Sequence, residues 1–329
     1  MTSLLFSRDP GGARQMFGLL QALRGRFPNE AAHPGIVAVK AQIPHHPPLV
    51  FAKDFAIKVF AGLGEAAEAW PLPEARGPDR DRLLDALLAE RGVTVVLTAT
   101  SDVDDDTDQA LWQAARRAGI PSHGFVDGAF NVAPRFTSPE GDMVVPDFVH
   151  VPNRAVFDEV APYCPTGRIT LIPDLIIGVH RQEMEQARTN AAGLRRQWGL
   201  GEGERAALFA SENVEELVAL GKPKHYDEYD CLALLLAALA GERAVPGIAA
   251  GAAQLVVIRP HPKERPDKFA AHCGRAGPRV IISTDGTASE AILAADLVVG
   301  MRSTLLREAL DAGKAVVSLV GHDIRGQAS

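Results

Sequence analysis

Only three cysteines occur in the 329 residues, at Cys164, Cys231 and Cys273. Far apart and odd in number, they supply neither a disulfide framework nor the paired spacing of a zinc site, and they read as isolated reduced thiols. A membrane-spanning run is also missing: the apolar stretch 231–240 is well short of the roughly 20 residues a bilayer requires. The N-terminus reaches Arg8 and Asp9 after a very short apolar stretch, so no signal peptide is expected. Positive charge is not in excess. With a formal net charge of −7, the chain lacks the basic stripe that a nucleic-acid backbone would demand. Neither a GxGxxG fingerprint nor a P-loop lysine motif is present, which removes the ordinary dinucleotide and NTP readings.

Hydrophobic residues make up 47% of the chain and charged residues 23%, enough for a sizeable core, and 30 Gly with 23 Pro promise many turns. Length predicts two domains of about 150 residues each. Apolar runs alternate with helical periods throughout. Strands are expected at 3–6, 35–39, 94–97, 120–126, 148–151 and 169–172, with helices through Met16, Leu19, Leu20 and Leu23, over 51–67 and 81–90, and through Leu111, Ala114, Ala115 and Ala118. The segment 173–179 is the candidate crossover, dividing the chain into domains 1–176 and 177–329. Beyond it strands are expected at 206–209, 255–258, 280–282, 297–299 and 315–319, and helices at 182–198, 230–240, 289–294 and 305–312. This rhythm predicts an α/β protein of two Rossmann-like parallel-sheet domains facing a central cleft. In such sheets, ligands sit beyond the carboxyl ends of the strands, so the chemistry is sought in the loops that follow them.

Five such loops stand out. Asp9-Pro10-Gly11-Gly12-Ala13 follows the first strand and opens a helix, and Gly11 and Gly12 allow close backbone approach to an anion or a sugar. Val126-Asp127-Gly128 presents a carboxylate at a strand end, suited to taking a proton from a hydroxyl. In Arg259-Pro260-His261-Pro262-Lys263-Glu264, two prolines fix the backbone around His261, while Arg259 and Lys263 bring positive charge. In Gly300-Met301-Arg302-Ser303-Thr304, either hydroxyl can cap the next helix and help form an anion site with Arg302, with Glu308 one turn inside and Arg307 beside it. Ser211-Glu212-Asn213 is a further loop placed to contact a donor. Two other features carry less weight. The acidic run Asp102-Val103-Asp104-Asp105-Asp106 contains an Asp-x-Asp pattern, but acidic loops are ordinarily solvated; His45-His46 has no spaced carboxylate partner. No metal is expected.

The second half resembles the donor-binding domain of GT-B glycosyltransferases and of the related UDP-N-acetylglucosamine 2-epimerases. The resemblance rests on residues 194–211, on the RPHPKE string, and on 296–319. Within that class, Asp127-Gly128, His261-Pro262 and Ser303-Thr304 are similar, in chain order, to the base motif, HP motif and serine motif of bacterial sialyltransferases and capsule polysialyltransferases. Val126 and Thr304 depart from the commonest residues of those motifs. What this resemblance implies is an inverting, metal-independent transfer of a CMP-activated nonulosonic acid (sialic, legionaminic or pseudaminic) to a glycan, lipid-linked or protein acceptor, as in cell-surface polysaccharide biosynthesis. Asp127 would be the base; His261, Ser303 and Thr304 would hold the departing phosphate. The alternative on the same fold is a UDP-GlcNAc 2-epimerase-like enzyme, with Asp9, Glu212 and Glu308 as further acids, and a non-catalytic sugar-nucleotide binding protein stands beside both. The expected location is cytoplasmic, with peripheral contact at the inner membrane left open. The fold would ordinarily add a helix after the last strand, for which the final ten residues leave little length.

Overall fold

The computed structural model describes residues 2–43, 47–73, 76–101, 105–128, 131–138, 140–219, 221, 225–265, 267–274 and 277–320. The Asp-x-Asp pattern at 102–104 and the histidines 45 and 46 lie outside them. The chain divides into two compact units, Met1–Val179 and His180–Ser329, the boundary falling within the helix Leu175–Gln197.

The first unit holds seven strands: β1 (Thr2–Ser7), β2 (Leu49–Ala52), β3 (Glu68–Ala69), β4 (Val93–Ala99), β5 (Ser122–Phe125), β6 (Phe148–Val151) and β7 (Ile169–Leu171). All run parallel, in the order β3-β2-β1-β4-β5-β6-β7. Parallel strands covered on both faces read as near-continuous apolar runs, and residues of β1 alternate between faces accordingly. Leu5 packs with the helices Pro10–Leu23 and Phe55–Gly62, whereas Leu4 and Phe6 pack with Pro78–Glu90 and Thr107–Ala118. Gly12 lets the first of these helices approach the sheet. A Cβ there would stand 2.6 Å from that of Ala99, so any side chain would push the helix off β4.

The second unit has five parallel strands, β8 (Ala206–Ala210), β9 (Leu255–Arg259), β10 (Arg279–Ile282), β11 (Leu297–Gly300) and β12 (Ala315–Ser318), in the order β10-β9-β8-β11-β12. Ala207 and Phe209 of β8 face the helix Glu228–Ala240; Ala206 and Leu208 face the helices Ala288–Ala294 and Thr304–Asp311. Each unit is thus a parallel sheet flanked by helices, a GT-B-like pair of Rossmann-type domains. Among the described residues no helix is long and apolar enough to cross a membrane.

Two expected elements differ. Residues 35–39, expected as a strand, lie in the helix Pro34–Gln42. Pro34 occupies its first turn, the His33 side chain accepts from Gly35 N, and Ile36 and Val39 are buried at helical spacing. The expected helix over 51–67 is split: Leu49–Ala52 is a strand, and the helix starts only at Phe55, after Asp54 takes a φ of +50°.

A buried pair of histidines sits on neighbouring strands of the first sheet. His123 Nδ1 lies 2.9 Å from His150 Nε2, and the other ring nitrogens, His123 Nε2 and His150 Nδ1, have no partner. Burial pushes His123 down to about 4, with Asp147 acting the other way, and burial plus His123 pushes His150 down to about 3. The unfolded chain takes these protons near pH 6.5, so it binds more protons than the folded state between pH 6.5 and 4. Stability is therefore full above pH 6.5 and falls with pH through that window, by about 1.4 kcal/mol per pH unit for each histidine. Asp108, raised to about 7 by burial, has the opposite slope, so the two histidines outweigh it. Urea midpoints at pH 7, 6 and 5 are expected to fall in the native protein and to fall less in a His123→Leu/His150→Leu double variant. Parallel slopes would exclude the pair as the cause.

Candidate functional site

The ligand position of a doubly wound sheet is where strand order reverses, since adjacent connections there leave in opposite directions and open a crevice. In the first unit that point is between β1 and β4; in the second it is between β8 and β11. The loops at these two edges contain most of the residues singled out above.

On the first sheet, Asp127 stands just past β5. Its Oδ1 accepts from Arg135 Nη1 at 2.7 Å, and the same nitrogen donates to Thr100 Oγ1, beyond β4, at 2.7 Å. Its Oδ2 lies 2.7 Å from the place a Gly11 Cβ would occupy. Gly11 is therefore the residue that admits this carboxylate at the start of the helix Pro10–Leu23, where unpaired N–H groups favour negative charge. The Asp127 side chain keeps a quarter of its surface exposed. Around the ends of β1 and β2, Arg8 Nε bonds Asp54 Oδ2 at 2.8 Å, and Lys53 pairs with the half-buried Asp105. Asp54 holds a left-handed φ that costs a non-glycine residue energy, a kind of strain that gathers at functional sites. Arg8, Lys53, Asp54, Asp105 and Arg135 were not assigned from sequence. Arg135, eight residues after Asp127, ends the four-residue helix Val132–Arg135, which is too short to carry a periodic signal that would have marked it.

On the second sheet, His261 follows β9, and its Nδ1 accepts from Lys263 N at 3.2 Å. An imidazole that accepts at Nδ1 carries its proton on Nε2 and is a donor there. Burial, together with the Lys263 ammonium, pushes His261 below its ordinary value, so it is neutral at pH 7. Ser303 is the residue that caps the helix Thr304–Asp311, its Oγ accepting from Leu305 N at 3.2 Å. Thr304 is the first residue of that helix. Between the two loops, beyond β8, Ser211 Oγ donates to Glu264 Oε1 at 2.8 Å. Glu212 accepts from Arg302 N through Oε1 and from Tyr226 OH, at 3.1 Å, through Oε2. Ser211, His261 and the Arg302–Ser303 turn are thus gathered on three adjacent strands.

Two expected contacts are engaged elsewhere. Arg259 donates to the carbonyls of Asp285 at 3.1 Å and Gly286 at 2.9 Å, joining the ends of β9 and β10. Glu308 pairs with His180 Nε2 at 3.2 Å. Sequence reading also missed the group beneath the site: Glu264, Lys268, Glu216 and Glu228. The ammonium of Lys268, whose side chain is wholly buried, lies 2.8 Å from Glu216, 3.0 Å from Glu264 and in contact with Glu228. Burial alone would lower Lys268, but the three carboxylates win and raise it, keeping it charged. Glu215, Glu216 and Glu228 are spaced to hold a metal ion, yet the Lys268 ammonium is the cation already among them. The Glu264–Lys268 spacing of four was a legible helical-type pair, but nothing marked it as buried.

No family model matches the sequence, and no curated protein matches it. Solved structures do. UDP-GlcNAc 2-epimerase from Methanocaldococcus jannaschii is similar with a TM-score of 0.65 at 12% identity, over 97% of this chain and 84% of that one. The enzyme from Neisseria meningitidis bound to UDP-GlcNAc gives 0.59 at 13%, over 99% and 84%. A second M. jannaschii structure, in complex with UDP-GlcNAc and UDP, gives 0.59 at 12%, over 99% and 85%. At these identities the likeness is one of fold, and it runs through both units. It overturns the expectation of a CMP-activated sugar. The nucleotides held by these structures carry uridine and a diphosphate, where a CMP sugar has cytidine and a single phosphate.

Proposed function

We propose that this chain is an enzyme acting on a UDP-activated N-acetylhexosamine, and that its reaction is 2-epimerisation of UDP-GlcNAc type. The observation that carries the reading is the full-length fold likeness to structures holding UDP-GlcNAc. The donors at the carboxyl edge of the second sheet support it: His261 Nε2–H, the Ser303 hydroxyl and the exposed Arg302 can all serve a diphosphate.

The C2 hydrogen is not acidic by itself, so inverting C2 requires that its proton leave as the C1–O bond to UDP breaks, giving a C1=C2 alkene and free UDP. UDP then adds back at C1 while a solvent-derived proton reaches C2 from the other face, and a carboxylate placed to take the first proton is needed. Asp127 takes that role in this reading. Its Oδ1 is fixed by Arg135, and its Oδ2 is left for proton transfer.

The test is incubation with UDP-GlcNAc in deuterated water, followed by NMR of the products. Product of the manno configuration carrying deuterium at C2 is the expected outcome. UDP release that depends on an added acceptor would instead mean glycosyl transfer. Binding of UDP-GlcNAc without turnover would mean a sugar-nucleotide binding protein.

A further inference from the structure

Resting on the UDP-sugar reading, we infer that Glu264 is the positioning residue of the nucleotide site: its carboxylate spans two loops and holds Ser211 and His261 in register. Glu264 Oε1 accepts from Ser211 Oγ at 2.8 Å, past β8, and Oε2 accepts from His261 N at 2.5 Å, past β9. The second bond is reciprocated, since Glu264 N donates to His261 O at 2.9 Å. The turn 261–264 is thereby closed on itself, in the manner of a capping box, and Pro260 and Pro262 restrict it further. Within that closed turn, Lys263 N meets His261 Nδ1, the contact that sends the ring proton to Nε2. The direction and tautomer of His261 therefore depend on Glu264, which has no need to touch a ligand itself. Below it, Lys268 Nζ lies 3.0 Å from Oε1 and anchors the carboxylate from the buried side.

Reach and charge can be separated by two variants. Glu264→Asp keeps the charge beside Lys268 but draws the carboxylate back by about 1.5 Å, so it cannot span both loops. Glu264→Gln keeps the reach, with an amide oxygen for His261 N and an amide N–H for the Ser211 hydroxyl, but loses the charge. The probe is UDP, titrated calorimetrically, and the second readout is the His261 tautomer by ¹⁵N NMR. A positioning role predicts that Glu264→Asp weakens UDP by about tenfold or more and mixes the tautomers. Glu264→Gln then stays within about threefold of the native protein with Nε2–H retained. The reverse ranking would make Glu264 a mere charge partner of Lys268 and overturn the inference, as would two variants that both match the native protein. If the native protein binds no UDP, the nucleotide reading fails. The tautomer then decides the positioning role alone: mixing in Glu264→Asp upholds it, and retention overturns it.

Discussion

Under the proposed chemistry, Asp127→Asn is expected to lower kcat by about 100- to 10,000-fold while leaving UDP affinity unchanged. The substitution is nearly isosteric. Its amide oxygen can still accept from Arg135 Nη1, so the bridge to Thr100 is retained and the loop after β5 stays in place. What is lost is the capacity to accept the C2 proton. The anticipated contributors to nucleotide binding, His261, Arg302 and Ser303, stand on the other unit, so affinity is a separable readout. Steady-state kinetics with UDP-GlcNAc and calorimetric titration with UDP measure the two quantities independently. Turnover within threefold or so of the native enzyme would remove Asp127 as the proton-transfer group. A parallel loss of UDP binding would mean that the carboxylate shapes the fold rather than the reaction.

A comparably large effect is expected for stability from Lys268→Met. The lysine is the buried cation among Glu216, Glu228 and Glu264, and the side chains of the last two are, like its own, wholly buried. Glu228 Oε2 and Glu216 Oε1 are already without partners. Methionine fills a similar volume but leaves these carboxylates without the ammonium they surround. Breaking a buried pair from one side costs about 3–5 kcal/mol, because the remaining charge stays desolvated. The urea midpoint at pH 7 is expected to drop accordingly. Adding Glu228→Gln to Lys268→Met should recover part of the loss, since it removes one of the stranded charges. A loss below about 1 kcal/mol would show that water or a proton compensates the cluster.

Sequence and structure agree most closely where burial is two-sided. Runs such as residues 206–209 and 297–299 are apolar at every position, as strands covered on both faces are. Residues 35–39 misled for a related reason. Ile36, Val37 and Val39 have β-branched side chains, but Pro34 and the His33 cap start a helix, and only packing reveals that Val37 faces solvent. The choice between Ser303 and Thr304 as helix cap was undecidable from their chemistry, since both hydroxyls are competent; the backbone at Ser303 decided it.

Unlike β2 and β3, the five strands of the second sheet, and β1, β4, β5, β6 and β7 of the first, were thus legible in the sequence alone, through the alternation of apolar strands and amphipathic helices along the chain. So were the loops worth inspecting, because a loop that follows a strand ends at the ligand-binding edge of its sheet. Tertiary structure alone decided which groups meet in those loops. Asp127 finds Arg135 and Gly11, His261 and Ser211 are joined by Glu264, and Lys268 gathers three glutamates, all across gaps of eight to more than a hundred residues or through burial. Periodicity reports the face of an element on which a residue lies. It is silent about partners brought in by another strand, and the chemistry of this chain is held by those partners.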